Sequence, residues 1–424
     1  MSHIFKRLSL SILITALTLS AQFSTNQIEI HGFLSQGYAY TVNINNLSMD
    51  TKNGTFEINE AAINFSTDIT DRLRGGLQFL SRDLGKVGNN IVMLDWAYAD
   101  YHWRDYLGVR IGKIKTPLAL YNEVRDVDAL RTFVFLPQAV YDENIRDFSF
   151  GFQGAAFYGN IALNQWGDID YNLYLGTFNI PDPNNGFWNN AFTDMSNLAS
   201  PLIASDSVNI GQMVVTDPEI RVPYLWGGSA YWTTIPGLKI GGCYLYTDQL
   251  MATDLTAFSQ VTHSDGSVTN ESQRLHFDVD VTMDDYYTLS AEYTINNMTL
   301  TAEFHNRTYQ VIIPKGTFFN FNIAMNRQLQ GYYGQATYRI SDWLEAGSYY
   351  SVYKDYIGMD NDKPSWQIEQ NDLCAALRFD VTPSWLFKLE AHRMDGTDLV
   401  LNVENPSGLK ENWNLVAIKS SINF

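Results

Sequence analysis

The chain has 424 residues, a formal net charge of −18, an aromatic content of 14% and two cysteines. So acidic a balance argues against a nucleic-acid-binding protein, which carries a basic footprint. The lack of any zinc-like Cys/His spacing argues against a structural metal domain.

The N-terminus reads as a secretory signal over residues 1–21. Lys6 and Arg7 precede an apolar run from Leu8 to Leu19, and small residues follow at Ser20 and Ala21. The run is too short to span a bilayer as a helix. Beyond Ala21 no stretch reaches the roughly 18 continuous apolar residues that a spanning helix needs. Residues 22–424 therefore either stay in water or meet a membrane as strands.

In chain order, about sixteen strands are predicted, with 14 or 18 as alternatives. Their centres fall near Leu34, Ala62, Leu77, Tyr98, Val109, Phe152, Leu173, Ala230, Gly242, Leu289, Ala302, Ala336, Gly347, Leu377, Leu389 and Val416. Their connections alternate in length. Long ones cover Thr41–Gly54, Lys115–Arg146, Phe178–Pro223, Asp248–Asp284, Pro314–Arg327, Asp355–Glu369 and Gly396–Glu411. Between them lie tight turns rich in Asp, Asn, Gly and Pro, at Asp68–Asp71, Arg104–Tyr106, Gly167–Asp168, Ile235–Gly237, Asn296–Asn297, Ser341–Asp342 and Thr382–Ser384. Leu275–Met283 reads as either strand or loop.

Alternation within strands sorts side chains onto two faces. In the last strand Val416, Ile418, Ile422 and Phe424 share one face and Lys419 takes the other. A soluble sandwich also alternates, so this pattern alone leaves both architectures open. Loop sorting separates them, since long loops at one end and tight turns at the other belong to an outer-membrane barrel. The expected fold is all-β, a transmembrane antiparallel up-and-down β-barrel.

The segments IEIHGFLSQGYAY (Ile28–Tyr40) and LGVRIGKIKTPLALY (Leu107–Tyr121) resemble a first strand and a loop-feeding strand of Gram-negative porins, closest to the phosphate-selective porin O/P-like group. The terminal INF, ending at Phe424, is similar to the aromatic signature read by the barrel-assembly machinery. The resemblance implies outer-membrane lipid as surroundings, a homotrimer with one pore per subunit and passive passage of small hydrophilic solutes or ions. An anion- or phosphate-selective channel is the alternative, which the acidic balance weakens, and an outer-membrane enzyme is less favoured. No catalytic motif, metal or cofactor is implied.

Lys115–Arg146 is too long for a simple connection and carries many apolar residues, so it is expected to fold against the inner wall as a constriction. It would bring Glu123, Arg125, Asp126, Asp128, Arg131 and Arg146 to the lumen, with Asp142, Glu143 and Asp147 nearby. Rings of charge set ion preference; the competing reading is that these charges pair with one another and only hold the loop. Strand parity adds Arg74, Arg110, Arg378 and Lys388, with Asp95 as an acidic partner. Trp232, Trp343, Trp385, Tyr231, Tyr338 and Tyr349 are candidates for interfacial girdles. Cys243 and Cys374 read as small residues on separate strands, with a disulfide as the alternative.

Overall fold

In a computed structural model, residues 28–146, 150–178, 180, 208–262, 267–313, 323–357 and 363–424 are described. The predicted signal over 1–21 lies outside them, as do Asp147 and most of the Phe178–Pro223 connection. Sixteen strands close into one barrel. They are β1 (Glu29–Thr41), β2 (Ile58–Thr70), β3 (Leu73–Leu84), β4 (Val92–Arg104), β5 (Leu107–Lys115), β6 (Gly151–Ala162), β7 (Asp168–Phe178), β8 (Val208–Ile235), β9 (Leu238–Thr262), β10 (Val268–Ile295), β11 (Met298–Ile313), β12 (Ile323–Ser341), β13 (Leu344–Ile357), β14 (Glu369–Thr382), β15 (Trp385–Gly396) and β16 (Asn412–Asn423). Each pairs antiparallel with its neighbour in sequence, and β16 closes on β1 from Phe33↔Asn423 to Thr41↔Leu415. Closure removes the free edges that an open sheet exposes. All sixteen predicted centres fall in strands.

Two predicted loops turn out to be strand over much of their length. Asp248–Asp284 is mostly a ladder between β9 and β10, running from Thr262↔Val268 to Thr247↔Met283. The end of Phe178–Pro223 is the first half of β8. The reason is legible afterwards. Gln249–Thr262 and Val268–Met283 contain no Gly or Pro, and Leu275, Phe277, Val279, Val281 and Met283 alternate with polar residues.

The barrel is inverted relative to a soluble domain. Large apolar side chains such as Ile111, Leu173, Leu289, Leu373, Val416 and Ile422 are exposed around the outside. Lys388, Glu390, Lys419, Glu303 and Asp372 are buried on the inside. Alternation predicts Glu303 of β11, Arg378 of β14, Lys388 and Glu390 of β15 and Lys419 of β16 on one face with the apolar residues opposite, and the structure turns all five inward. Trp103, Trp166, Trp232, Trp343 and Trp385 are exposed next to the tight turns, along with Tyr338. Tyr231 and Tyr349 depart from the girdle expectation because odd residues point inward in β13 and, from Leu225 on, in β8. Tyr349 is buried against Phe133, with ring centroids 5.0 Å apart. Cys243 and Cys374 are free thiols, both buried.

The β1–β2 and β5–β6 connections at the long-loop end fold inward. Ile44, Leu47 and Met49 of the β1–β2 loop pack with Val134 and Phe135 of the β5–β6 connection and with Trp413 and Leu415 of β16. That connection can lie so close to the wall partly because of Gly331 in β12. A Cβ there would stand 1.9 Å from the Ala139 carbonyl oxygen. Gly331→Val is expected to push the loop off β12 at a cost of about 1–3 kcal/mol. Hydrogen exchange of the Ala139–Tyr141 amides would register the loosening, and unchanged protection would count against this packing.

Candidate functional site

The connection between β5 and β6, called L3 here, starts and ends at one place. The Thr116 amide donates to the Phe150 carbonyl at 2.8 Å. Short 3₁₀ turns at Asn122–Val124 and Asp128–Leu130 compact it. From there it reaches opposite walls. On one side, Arg82 of β3 pairs with Glu143 at 3.1 Å. On the other, Glu303 of β11 accepts the Leu120 amide at 3.0 Å and the Tyr141 hydroxyl. β3 and β11 lie half a circumference apart in a ring of sixteen, so L3 crosses the lumen.

Backbone anchors fix its far arm. Glu390 of β15 accepts the Val134 and Phe135 amides at 2.6 and 3.1 Å. Lys388 donates to the Phe133 carbonyl at 3.0 Å, and Arg378 to the Ala129 carbonyl at 2.7 Å. These wall groups sit on the inner face with side chains 0–12% exposed, where an unmade hydrogen bond is expensive.

Most of the predicted charges belong to one buried network. Asp128 meets Lys388 at 3.2 Å, Lys419 at 2.8 Å, Arg131 at 3.0 Å and Ser421 at 2.6 Å. Lys419 continues to Glu60 at 2.8 Å, Glu60 to Arg146 at 2.6 Å, and Arg146 to Glu143 at 3.3 Å. Glu143 also holds Arg125 at 2.7 Å. Asp126 pairs with Lys115 at 2.7 Å, and Gln78 donates to both Asp126 and Asp95. Burial by itself would raise the Asp128 carboxyl, but Lys388, Lys419 and Arg131 together hold it well below the usual carboxylate range. The same balance, struck with Arg125, Arg146 and Arg82, keeps Glu143 low.

Glu123 stands apart. Among the described residues of L3 only Glu123 and Leu130 are exposed, and Glu123 makes no ion pair within 4 Å with any described residue. Desolvation inside the lumen raises its carboxyl above the usual carboxylate range, against the pull of Arg110 and Lys115. Arg110 pairs with Asp100 at 3.0 Å, and its guanidinium sits 4.3 Å from the centroid of the Tyr158 ring. Arg74 is near the tight-turn end, exposed and paired with Glu29 at 2.8 Å.

Sequence reasoning about site residues missed Glu60, Arg82 and Lys115. Strand parity turned Glu303, Glu390 and Lys419 inward without assigning them to the site, because their partners in L3 carry no sequence signal. The structure also gathers Cys374, Glu390 and His392, whose donor atoms lie within 4.8 Å of one another. These atoms are already engaged: His392 bridges Glu390 at 2.8 Å and Asp372 at 3.0 Å, while Glu390 holds the L3 amides.

Asp398 in the β15–β16 loop has a buried oxygen without a partner among the described residues. Burial pushes its carboxyl up to about 7, against the pull of Arg327, Lys363 and Arg307. Between about pH 4 and that value the folded state keeps a proton that the unfolded chain has released, so stability falls as pH rises through this window. Asp398→Asn is expected to raise the unfolding midpoint most at pH 8 and less at pH 5. Equal gains at both pH values would remove Asp398 as the cause.

No protein-family model matches the chain, and no curated protein does. Among solved structures, OmpF of Salmonella typhi in complex with daunomycin is similar over 94% of this chain and 97% of that one, at 12% identity and a TM-score of 0.52. The outer membrane channel DcaP of Acinetobacter baumannii matches over 95% and 99% at 11% identity and a TM-score of 0.49. An anion-selective porin from Comamonas acidovorans matches over 94% and 99% at 11% and 0.48. At such identities the likeness speaks to the fold alone.

Proposed function

We propose that this protein is an outer-membrane channel for passive diffusion of small hydrophilic solutes or ions, constricted by L3. The observation that carries the reading is the passage of L3 between opposite walls of a closed barrel with a polar inside and an apolar outside. A belt of exposed apolar side chains is unfavourable in water and suits lipid, and tryptophans beside the turns suit a membrane interface. An N-terminal signal and a C-terminal Phe424 fit export and barrel assembly. Phe424, just past the end of β16, exchanges paired backbone bonds with Gly32 at 2.9 and 3.0 Å, and its ring is exposed. A homotrimer and kinship with the phosphate-selective porin O/P-like group remain expectations of the sequence resemblance.

Glu123 is our candidate for the selectivity-setting charge, with Arg110 as its nearby cation. The buried charges Arg125, Asp126, Asp128, Arg131, Arg146, Arg378, Lys388 and Asp95 position the loop. An exposed carboxylate at a constriction favours cations, which weakens the phosphate-selective alternative.

Planar-bilayer recording of the purified protein should give discrete, step-like ohmic conductance, and its absence would overturn the channel reading. In a salt gradient, Glu123→Gln should move the reversal potential toward anion preference. A roughly two- to fivefold change in permeability ratio is what one charge about 6–10 Å from the ion path supplies, after screening, at an effective dielectric of about 40. An unmoved reversal potential would exclude Glu123 from that role.

A further inference from the structure

Cys374 of β14 and His392 of β15 stand directly opposite each other in the ladder, and Glu390 lies two residues before His392 on the same inner face. Cys374 and His392 are 18 residues apart in the chain, so no short metal-binding spacing announces them. Closure of the ladder brings three kinds of donor together. His392 Nε2 lies 2.8 Å from Glu390 Oε1 and 4.0 Å from the Cys374 sulfur. The cluster sits under L3, where Phe133 packs with Cys374 and Tyr349, and the His392 and Glu390 side chains are 5% and 0% exposed.

The hydrogen bonds around these atoms orient them as metal ligands are oriented. Asp372 lies 3.0 Å from His392 Nδ1 and turns Nε2 toward the cluster, while the Tyr349 hydroxyl donates to Asp372 at 2.9 Å. A carboxylate behind an imidazole is the outer partner that fixes ring and tautomer in metal-binding histidines. Glu390 is aimed independently, by the Val134 and Phe135 amides. A hydrogen-bonded imidazole alone accounts for Asp372 and Glu390, but it gives the sulfur only the weak 4.0 Å contact. A metal ion uses all three donors. Bonds of about 2.0–2.3 Å at tetrahedral angles need ligand atoms about 3.3–3.6 Å apart, so the Nε2–Oε1 contact opens and the thiol closes on the imidazole by roughly half an ångström each. Sulfur, nitrogen and oxygen donors together suit zinc and not calcium or magnesium, which take oxygen ligands.

We infer that Cys374, Glu390 and His392 form a zinc site that staples L3 to the β14–β15 wall. On binding, the thiol and the imidazole release the protons they hold at Sγ and Nε2, and bonds form from the ion to Sγ, Nε2 and Oε1. A water or the second Glu390 oxygen takes the fourth position. Because Glu390 also holds the Val134 and Phe135 amides, the ion and L3 share a ligand, and the order of the loop's far arm depends on metal. The site is separate from whatever solute passes through the lumen.

The test uses the full chain, refolded in detergent with cobalt(II) as the probe. Thiolate-bound cobalt should give a near-ultraviolet charge-transfer band and the intense visible bands of a tetrahedral ion, and zinc should displace it and bleach them. Cys243→Ser, which removes the other free cysteine, should keep this spectrum, and Cys374→Ser should lose the near-ultraviolet band. In zinc the heat-unfolding midpoint should stand several degrees above its value in a chelator, a difference that vanishes in Cys374→Ser. Should that variant fail to fold, the spectra of the unmodified protein and of Cys243→Ser, with the chelator shift, still decide. Absence of the charge-transfer band, its loss with Cys243, or midpoints equal in zinc and chelator would leave a hydrogen-bonded imidazole cluster and overturn the proposal.

Discussion

Asp128→Asn is expected to destabilise the protein by about 3–5 kcal/mol, the cost of leaving buried ions without their partner. Asp128 is met by Lys388, Lys419 and Arg131, and it accepts the Ser421 hydroxyl. Asparagine keeps the shape and some of the hydrogen bonding but removes the charge that three cations share. The heat-unfolding midpoint in detergent should drop, and protease should cut between residues 116 and 146 faster than in the unmodified protein. Asp128→Leu combined with Lys388→Met should recover part of the loss, because it retires one charge with the other. If the single variant unfolds like the unmodified protein, the network around Asp128 does not hold L3. The exposed Asp50, hydrogen-bonded among the described residues to nearby Asn53 at 2.9 and 3.1 Å, is the control: Asp50→Asn should change little.

The second large effect concerns flow. Replacing residues 119–144 with a short Gly/Ser linker should leave a folded barrel whose single-channel conductance is several-fold higher. Excision is geometrically permitted because the loop ends meet at Thr116 and Phe150, and the β5–β6 ladder runs on to Lys115↔Gly151 without them. The shortened channel should also lose the selectivity assigned to Glu123, since that residue goes with the loop. A folded variant of unchanged conductance would show that L3 is not what limits passage. Wall charges such as Glu390 and Lys388 would then face an open, wetter lumen, where they are far less costly than in their present dry contacts.

The two effects address different physics. Asp128 tests how the loop is held, and excision tests what the held loop does. The Asp128 variant could raise conductance noise by freeing L3 while keeping the barrel closed, because none of the strand ladders passes through that residue.

Strand number, strand parity and the sorting of long loops against tight turns were readable from the chain, because they rest on local physics. A two-residue period and turn residues such as Asn296-Asn297 act over a few positions. The period placed Lys419 and Lys388 inside and Phe424 outside without any knowledge of their neighbours. Tyr349 was expected in a girdle from its aromatic character, but the same period turns it inward in the structure; there parity outweighed residue type. The period alone did not reveal how far β8, β9 and β10 extend, since alternation marks a strand and not where a membrane ends. The apolar content of Lys115–Arg146 marked a loop that must pack, but composition could not choose its partners. Those depend on which strands stand opposite one another once β16 has met β1, and only closure brings Arg82 and Glu303 to facing walls. Tertiary structure therefore decided that Arg125, Asp126, Asp128, Arg131 and Arg146 are sealed in ion pairs while Glu123 stays open, because burial is a property of the assembled lumen and not of any residue's sequence neighbourhood.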